Sequence, residues 1–350
     1  MSSSPRDLAR VALLGLFPFI TAVWQVYALI FALNAVTAFF TPTFEASIPE
    51  VVGGEQYVQA LALSRVAVDV EAVAAPALAG ALVALVGARW VFWFDATTYL
   101  ASAALVLSVA MPRREKTAAP LQWGTFLTEV THGTRVLLRE PSLRRALVLS
   151  GAEATAGAAA IVATVAYVRD TLHRGAGSVA ATMAALGLGS TVAAVALGRA
   201  TGRYEGGASS AAGLHGRRHR WADAALLSGG ALLALVLLPG ALAPPFAVFF
   251  LGWALNGAGQ ALIAIPSTAL LAAHTHDHER GRAYAAHFAL THACWLVTYP
   301  AVGHAAARWG APTTFTAAGV ACALATAVAA AVGRGPRDEH LHPPTREASS

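Results

Sequence analysis

Charge is what this chain has least of. Asp, Glu, Lys and Arg make up only 12% of its 350 residues, against about 25% in an ordinary soluble domain. The shortage runs along the whole chain: no charged side chain falls between Arg10 and Glu45, or between Asp223 and His274. That excludes a soluble domain on a single anchor and points to a polytopic membrane protein. Cysteine is almost absent too. Cys294 and Cys322 are the whole supply, each in an apolar run, so no disulfide framework is expected. The N-terminus, MSSSPRDLAR, lacks the pattern of a cleaved signal peptide. No loop carries HExxH, GxSxG or a phosphate-binding glycine motif, which argues against an enzyme and leaves no cofactor to expect. The net charge of +5 comes from arginines in loops. It is not read as a nucleic-acid surface.

What the chain does have is apolar length. A helix needs about 20 apolar residues to cross a bilayer. The run from Arg10 to Glu45 would be ~50 Å as one helix, too long for one span, so it is divided at Ala22–Gln25. Ten membrane helices are predicted, an all-α fold: about Leu8–Thr21, Trp24–Ser47, Tyr57–Val86, Arg89–Met111, Ala146–Val168, Ser178–Leu197, Ala224–Leu238, Phe246–Ala272, Ala283–Ala307 and Thr313–Val332. The first four form a bundle over residues 1–111. A polar central loop spans 112–145, a six-helix bundle spans 146–333, and a polar tail, expected to be disordered, spans 334–350. Within the central loop, TFLTEVTHGTRVLLRE sets Phe126, Val130 and Leu137 among charges. It reads as an amphipathic helix on the membrane surface or as a linker with some helical content. Ten spans place both termini on one side. If that side is cytoplasmic, 19 Lys and Arg lie inside and four (Arg89, Arg169, Arg174 and Arg308) lie outside. The positive-inside rule therefore favours cytoplasmic termini in a plasma or inner membrane.

The stretch from Ala60 to Gly87 organises the rest. It is apolar enough to span, yet carries Arg65, Asp69 and Glu71, then Pro76 and Gly80. A charge at bilayer depth persists only where it is paired, wetted or used. Arg65 and Asp69 stand four residues apart, so they share a helix face and can neutralise each other. Glu71 lies roughly 200° further round the helix and needs another partner, on a neighbouring helix or in a water-filled cavity.

An internal repeat appears in the same helices. The second reads Asn34, Pro42, Pro49 and the eighth Asn256, Pro266; the third has Pro76, Gly80, Gly87 and the ninth Pro300, Gly303, Gly310. Helices one to four thus recur as seven to ten, with two further helices before the second block. Internal repeats are typical of transporters, with packing and gating at their glycines and prolines. On these features the chain resembles the major facilitator superfamily, whose plan is twelve helices in two halves. By that resemblance its ten helices correspond to family helices three to twelve, and the first two are missing. APALAG at 75–80 resembles the antiporter motif of the fifth family helix, with Ala75 where glycine is usual. The family's acidic and paired-arginine motif is absent. Its second-half counterpart is reduced to Gly198-Arg199, Gly202-Arg203 and Arg217-Arg218. More narrowly, FFTPTFEASIPE, LSRVAVDVE and HFALTHACWLVTYP are similar to the nickel- and cobalt-resistance exporter branch, beside siderophore and drug exporters.

The resemblance implies a proton-coupled exporter whose partners are the bilayer, protons and a small solute or metal ion. Alternatives are a drug or siderophore exporter, or a truncated, transport-inactive protein. For coupling, the candidates are Arg65, Asp69, Glu71, Asn34 and Asn256, with Asp95 and Glu153 placed near helix ends and so at the solvated interface. A carboxyl in apolar surroundings favours its neutral form, which a proton-coupled antiporter needs. For metal, His287, Thr291, Cys294 and Thr298 share one helical face. Imidazole and thiolate suit nickel and cobalt. His287 and Cys294 would meet an ion in succession, or in a site completed by Glu71 or Asn256; the bland reading is hydrogen bonds to neighbouring helices with the thiol as filler. His274, His276, His278 and Glu279 form an HxHxHE run, either a metal-collecting loop or a solvated one, and His340 and His342 a second pair.

Overall fold

In hydrocarbon, backbone polar groups must be satisfied within their own segment, so apolar runs fold as helices. The computed structural model describes the backbone of residues 56–87, 123–205, 211–275 and 277–332, with scattered positions between 13 and 104. Asn34, Asp95, His276, His340 and His342 lie outside the described residues. The helices are α1 (Tyr57–Val86), α2 (Trp123–Arg139), α3 (Pro141–Ala166), α4 (Ala176–Glu205), α5 (Ala211–Leu237), α6 (Phe246–His274) and α7 (Asp277–Val332). A π-helical turn, Tyr167–Thr171, extends α3, and a 3-10 turn, Leu238–Leu242, follows α5. No strand occurs among the described residues.

Among the described residues, five stretches are long and apolar enough to cross a membrane: Pro141–Thr171, Ala176–Ala200, Trp221–Leu242, Phe246–His274 and Glu279–Val332. The last would be ~80 Å long, enough for two crossings. It is broken at Gly310, whose φ of 79° and ψ of 162° are not helical. The two arms of α7 are the expected ninth and tenth helices. Gly87, at the end of α1, has φ 83°. The glycines that the internal repeat aligns therefore share a positive φ, which glycine adopts at little strain.

Helix ends depart from the sequence expectation in one direction, towards longer helices. α3 begins at Pro141 rather than Ala146, with Glu140 extended before it. Proline suits a first helical position, where no N–H is needed. Arg144 and Arg145 thus belong to α3, and Arg145 pairs with Asp223 of α5 and donates from Nε to the Ala329 carbonyl (3.2 Å). The expected basic loop at 199–220 is largely helix, since α4 reaches Glu205 and α5 starts at Ala211. The HTHDHERGR loop also contracts: α6 runs through His274 and α7 starts at Asp277. Charge marks where the hydrocarbon ends, but helical hydrogen bonds continue past it.

Small residues bring the helices together. A Cβ on Gly189 of α4 would collide with the Ala254 carbonyl of α6, and one on Gly257 of α6 with the Leu186 carbonyl of α4. Such close approach is how helices associate in lipid. Alanines 152, 156, 159, 160 and 163 of α3 are buried in the main core, with Leu226 and Leu233 of α5, Trp253 and Ile263 of α6, and Phe315 and Cys322 of α7. The amphipathic segment of the central loop folds as α2, not a linker. It buries Val136 and Leu137 in this core and lays Gly133 against the Arg282 carbonyl of α7. A second, smaller cluster joins Tyr57, Val58, Leu61 and Ala62 of α1 to Ala194 of α4 and Ala261 and Ile265 of α6.

Candidate functional site

Arg65 lies two turns into α1. The i,i+4 pairing forms: its Nε is 3.2 Å from Asp69 Oδ1. The same Nε donates to Ser190 Oγ of α4 at 2.9 Å, and Nη1 is 3.9 Å from Glu153 Oε1 of α3. Thr191 Oγ1 donates to Asp69 Oδ2 at 3.5 Å. Three helices therefore contribute one guanidinium, two carboxyls and two hydroxyls to one point. With every group ionised, the charge sums to minus one.

Glu153 corrects its expected placement. Counted from Arg145, the last charged residue before it, it lies about 12 Å into the span, inside a hydrocarbon core of about 30 Å. Its side chain is 16% exposed and Asp69's 8%. The other acidic residues in the five apolar spans (Asp170, Asp223 and Glu279) sit at or near span ends. The sequence places Glu153 two turns past Arg145; what turns it into the bundle is the contact with Arg65 of α1.

Asn256 of α6 is fully buried. Gln260 Nε2 donates to its Oδ1 at 2.9 Å, and its Nδ2 has no partner among the described residues. Its neighbour Gly257 packs on Leu186 and Ser190, which brings Asn256 to the level of the Arg65 cluster. Glu71 is exposed and has no ion-pair partner among the described residues. Pro76 and Gly80 lie on the unbroken backbone of α1, their side-chain surroundings outside the described residues. Pro300 lies exposed within α7 and Gly303 half-buried, with Val162 of α3 the nearest atom a Cβ would meet, at 3.9 Å.

The polar stripe on α7 faces the protein. His287, Thr291, Cys294 and Thr298 are all half-buried, while His292, Leu296 and Val297 are exposed. Thr291 Oγ1 donates to its own helix at the His287 carbonyl (2.9 Å), and Thr298 Oγ1 reaches the Ala154 carbonyl of α3 (3.3 Å). The His287 Nε2 is buried with no partner among the described residues. His274 Nδ1 is 2.9 Å from the Leu270 carbonyl on α6, and His278 lies on α7 with its side chain outside the described residues. No three His, Cys, Asp or Glu side chains converge on one point among the described residues.

The transmembrane secretion effector family matches residues 8–344. The chain belongs to that family, and it is a major facilitator superfamily transporter, not an enzyme. Solved structures share its fold. It is similar to the human organic anion transporter MFSD10 (TETRAN), at 16% identity and TM-score 0.72, over 93% of this chain and 75% of that one. The E. coli fucose:proton symporter FucP is 15% identical at TM-score 0.61, over 93% and 81%. A bacterial homologue of the iron transporter ferroportin, in an outward-facing state, is 16% identical at TM-score 0.62, over 94% and 82%. At such identities the likeness carries the fold alone. No curated protein matches this transporter by sequence.

Proposed function

We propose that the chain is a proton-coupled secondary transporter that exports a small solute, with both termini on the cytoplasmic side of a plasma or inner membrane. The observation that carries this is the cluster of Arg65, Asp69 and Glu153. Two carboxyls share one guanidinium, so one proton makes the cluster neutral. Asp69 is held closely by Arg65 and by Thr191, whereas Glu153 sits at the long edge, 3.9 Å from Nη1. Glu153 is the group that takes the proton. Protonated, it no longer ties α3 to the guanidinium on α1; deprotonated, it restores the tie. Proton arrival is thereby linked to how the helix carrying Arg65 sits against the second bundle.

Nickel and cobalt form a second reading of the cargo, favoured by the buried, unpartnered Nε2 of His287 and by imidazole's affinity for these ions. His287 and Cys294 are two turns apart, about 10 Å along the axis, so an ion would pass from one to the other. An organic drug or a siderophore is the remaining cargo class.

Reconstituted protein in liposomes with a trapped pH-sensitive dye tests the proposal. Nickel, cobalt, a lipophilic organic cation and a hydroxamate siderophore are added in turn across an imposed pH gradient. Proton flux evoked by one of them supports the reading and names the class. Solute movement without proton flux refutes the coupling, and no movement of any of the four favours a transport-inactive protein.

A further inference from the structure

We propose that the hydrogen bond between Tyr57 and Tyr284 is a latch that holds one mouth of the transport path shut. The two hydroxyls are 2.7 Å apart although the residues stand 227 positions apart in the chain. Tyr57 is the first residue of α1, in the first bundle, and Tyr284 lies two turns into α7, in the second. Tyr57 is 5% exposed and Tyr284 fully buried. Around them, Val58, Leu61 and Ala62 close against Ala194, Ala261 and Ile265. The seal is short. The Arg65 cluster lies one turn beyond Leu61, and past Arg65 the side chains of Val68 and Val70 on α1 are exposed. The latch and its apolar collar therefore separate the coupling cluster from the end of the bundle where α1 and α7 begin.

The chemistry suits a contact that is made and broken. Two neutral phenols part without stranding a charge, and each hydroxyl finds water once the mouth opens. The Arg65 cluster, while its members are ionised, has no such freedom, because separating them leaves a buried ion uncompensated. A neutral hydrogen bond shifts an equilibrium only modestly, by about fivefold. That is enough to bias a mouth towards closed without locking it. The latch goes beyond proton coupling and holds for any driving ion, so its test uses neither a solute nor a pH gradient.

Cys294 and Cys322 are replaced by alanine and Leu61→Cys is introduced as a reporter inside the seal. Its labelling rate by a water-soluble maleimide is then measured in full-length protein. Tyr57→Phe and Tyr284→Phe should each raise the rate about fivefold, and the double variant should raise it by less than the product of the two, because the shared bond is lost in all three. Unchanged rates, or single effects that multiply in the double variant, overturn the latch. Should a phenylalanine variant aggregate, spin labels on Gln59 and Ala285, both exposed, report the mouth with the tyrosines intact. A dominant short distance with a minor longer one is expected; a single distance that never changes overturns the proposal.

Discussion

Replacing Arg65 by alanine strands two carboxyls at once, and the consequence can be worked from the distances. At an effective dielectric of ~20, a separation of 3.2 Å to Asp69 corresponds to about 5 kcal/mol of gross attraction, and 3.9 Å to Glu153 to about 4. Most of this offsets the desolvation of the ions, so the net worth of the cluster is far smaller. Removing one partner alone exposes the full penalty, typically ~3–5 kcal/mol. The Ser190 hydrogen bond adds a further ~1 kcal/mol. Arg65→Ala should therefore be the most damaging change in the series. Arg65→Ala with Asp69→Asn should recover part of the loss, and addition of Glu153→Gln should recover most of it, to within ~2 kcal/mol of the parent. Thermal unfolding in detergent, followed by the monodisperse fraction on size exclusion, gives the ranking. A triple variant as unstable as Arg65→Ala would show that the three side chains do not compensate one another.

Other consequences are simpler to read. Gly189→Ala and Gly257→Ala each drive a Cβ into a backbone carbonyl of the partner helix and should cost ~3 kcal/mol or more, whereas Gly303→Ala meets only Val162 at 3.9 Å and should fall within ~1 kcal/mol of neutral in the same unfolding assay. If metal is the cargo, His287→Ala should abolish nickel and cobalt tolerance in cells expressing the transporter, while His274→Ala, whose ring is held to the Leu270 carbonyl, should leave it unchanged. Loss of organic-cation or siderophore tolerance instead would replace the metal reading. With cytoplasmic termini, a cysteine at Gly175 should react with an impermeant thiol probe added outside cells and one at Gly207 should not; the reverse pattern inverts the topology.

Local spacing was readable from the sequence wherever both partners lie on one helix. Arg65 and Asp69 pair as their four-residue separation requires, and the stripe from His287 to Thr298 faces inward as its helical spacing implies. The aligned glycines 87 and 310 share a positive φ. Contacts between helices were not readable. Ser190 of α4 accepts from Arg65, a contact that no spacing along one helix implies. Glu153 stands two turns past Arg145, and only its approach to Arg65 on another helix shows that it belongs to the cluster. Tyr57 and Tyr284, 227 residues apart, carry no local signal at all: only the packing of α1 against the second bundle brings them together.

Glu153→Gln is the change on which proton coupling stands or falls, because it fixes the neutral form of that side chain while keeping its shape. In proteoliposomes, coupling through Glu153 requires the variant to retain solute exchange between equal pH on both sides, and to lose accumulation driven by a pH gradient. Gradient-driven accumulation at the parent rate in Glu153→Gln would contradict it.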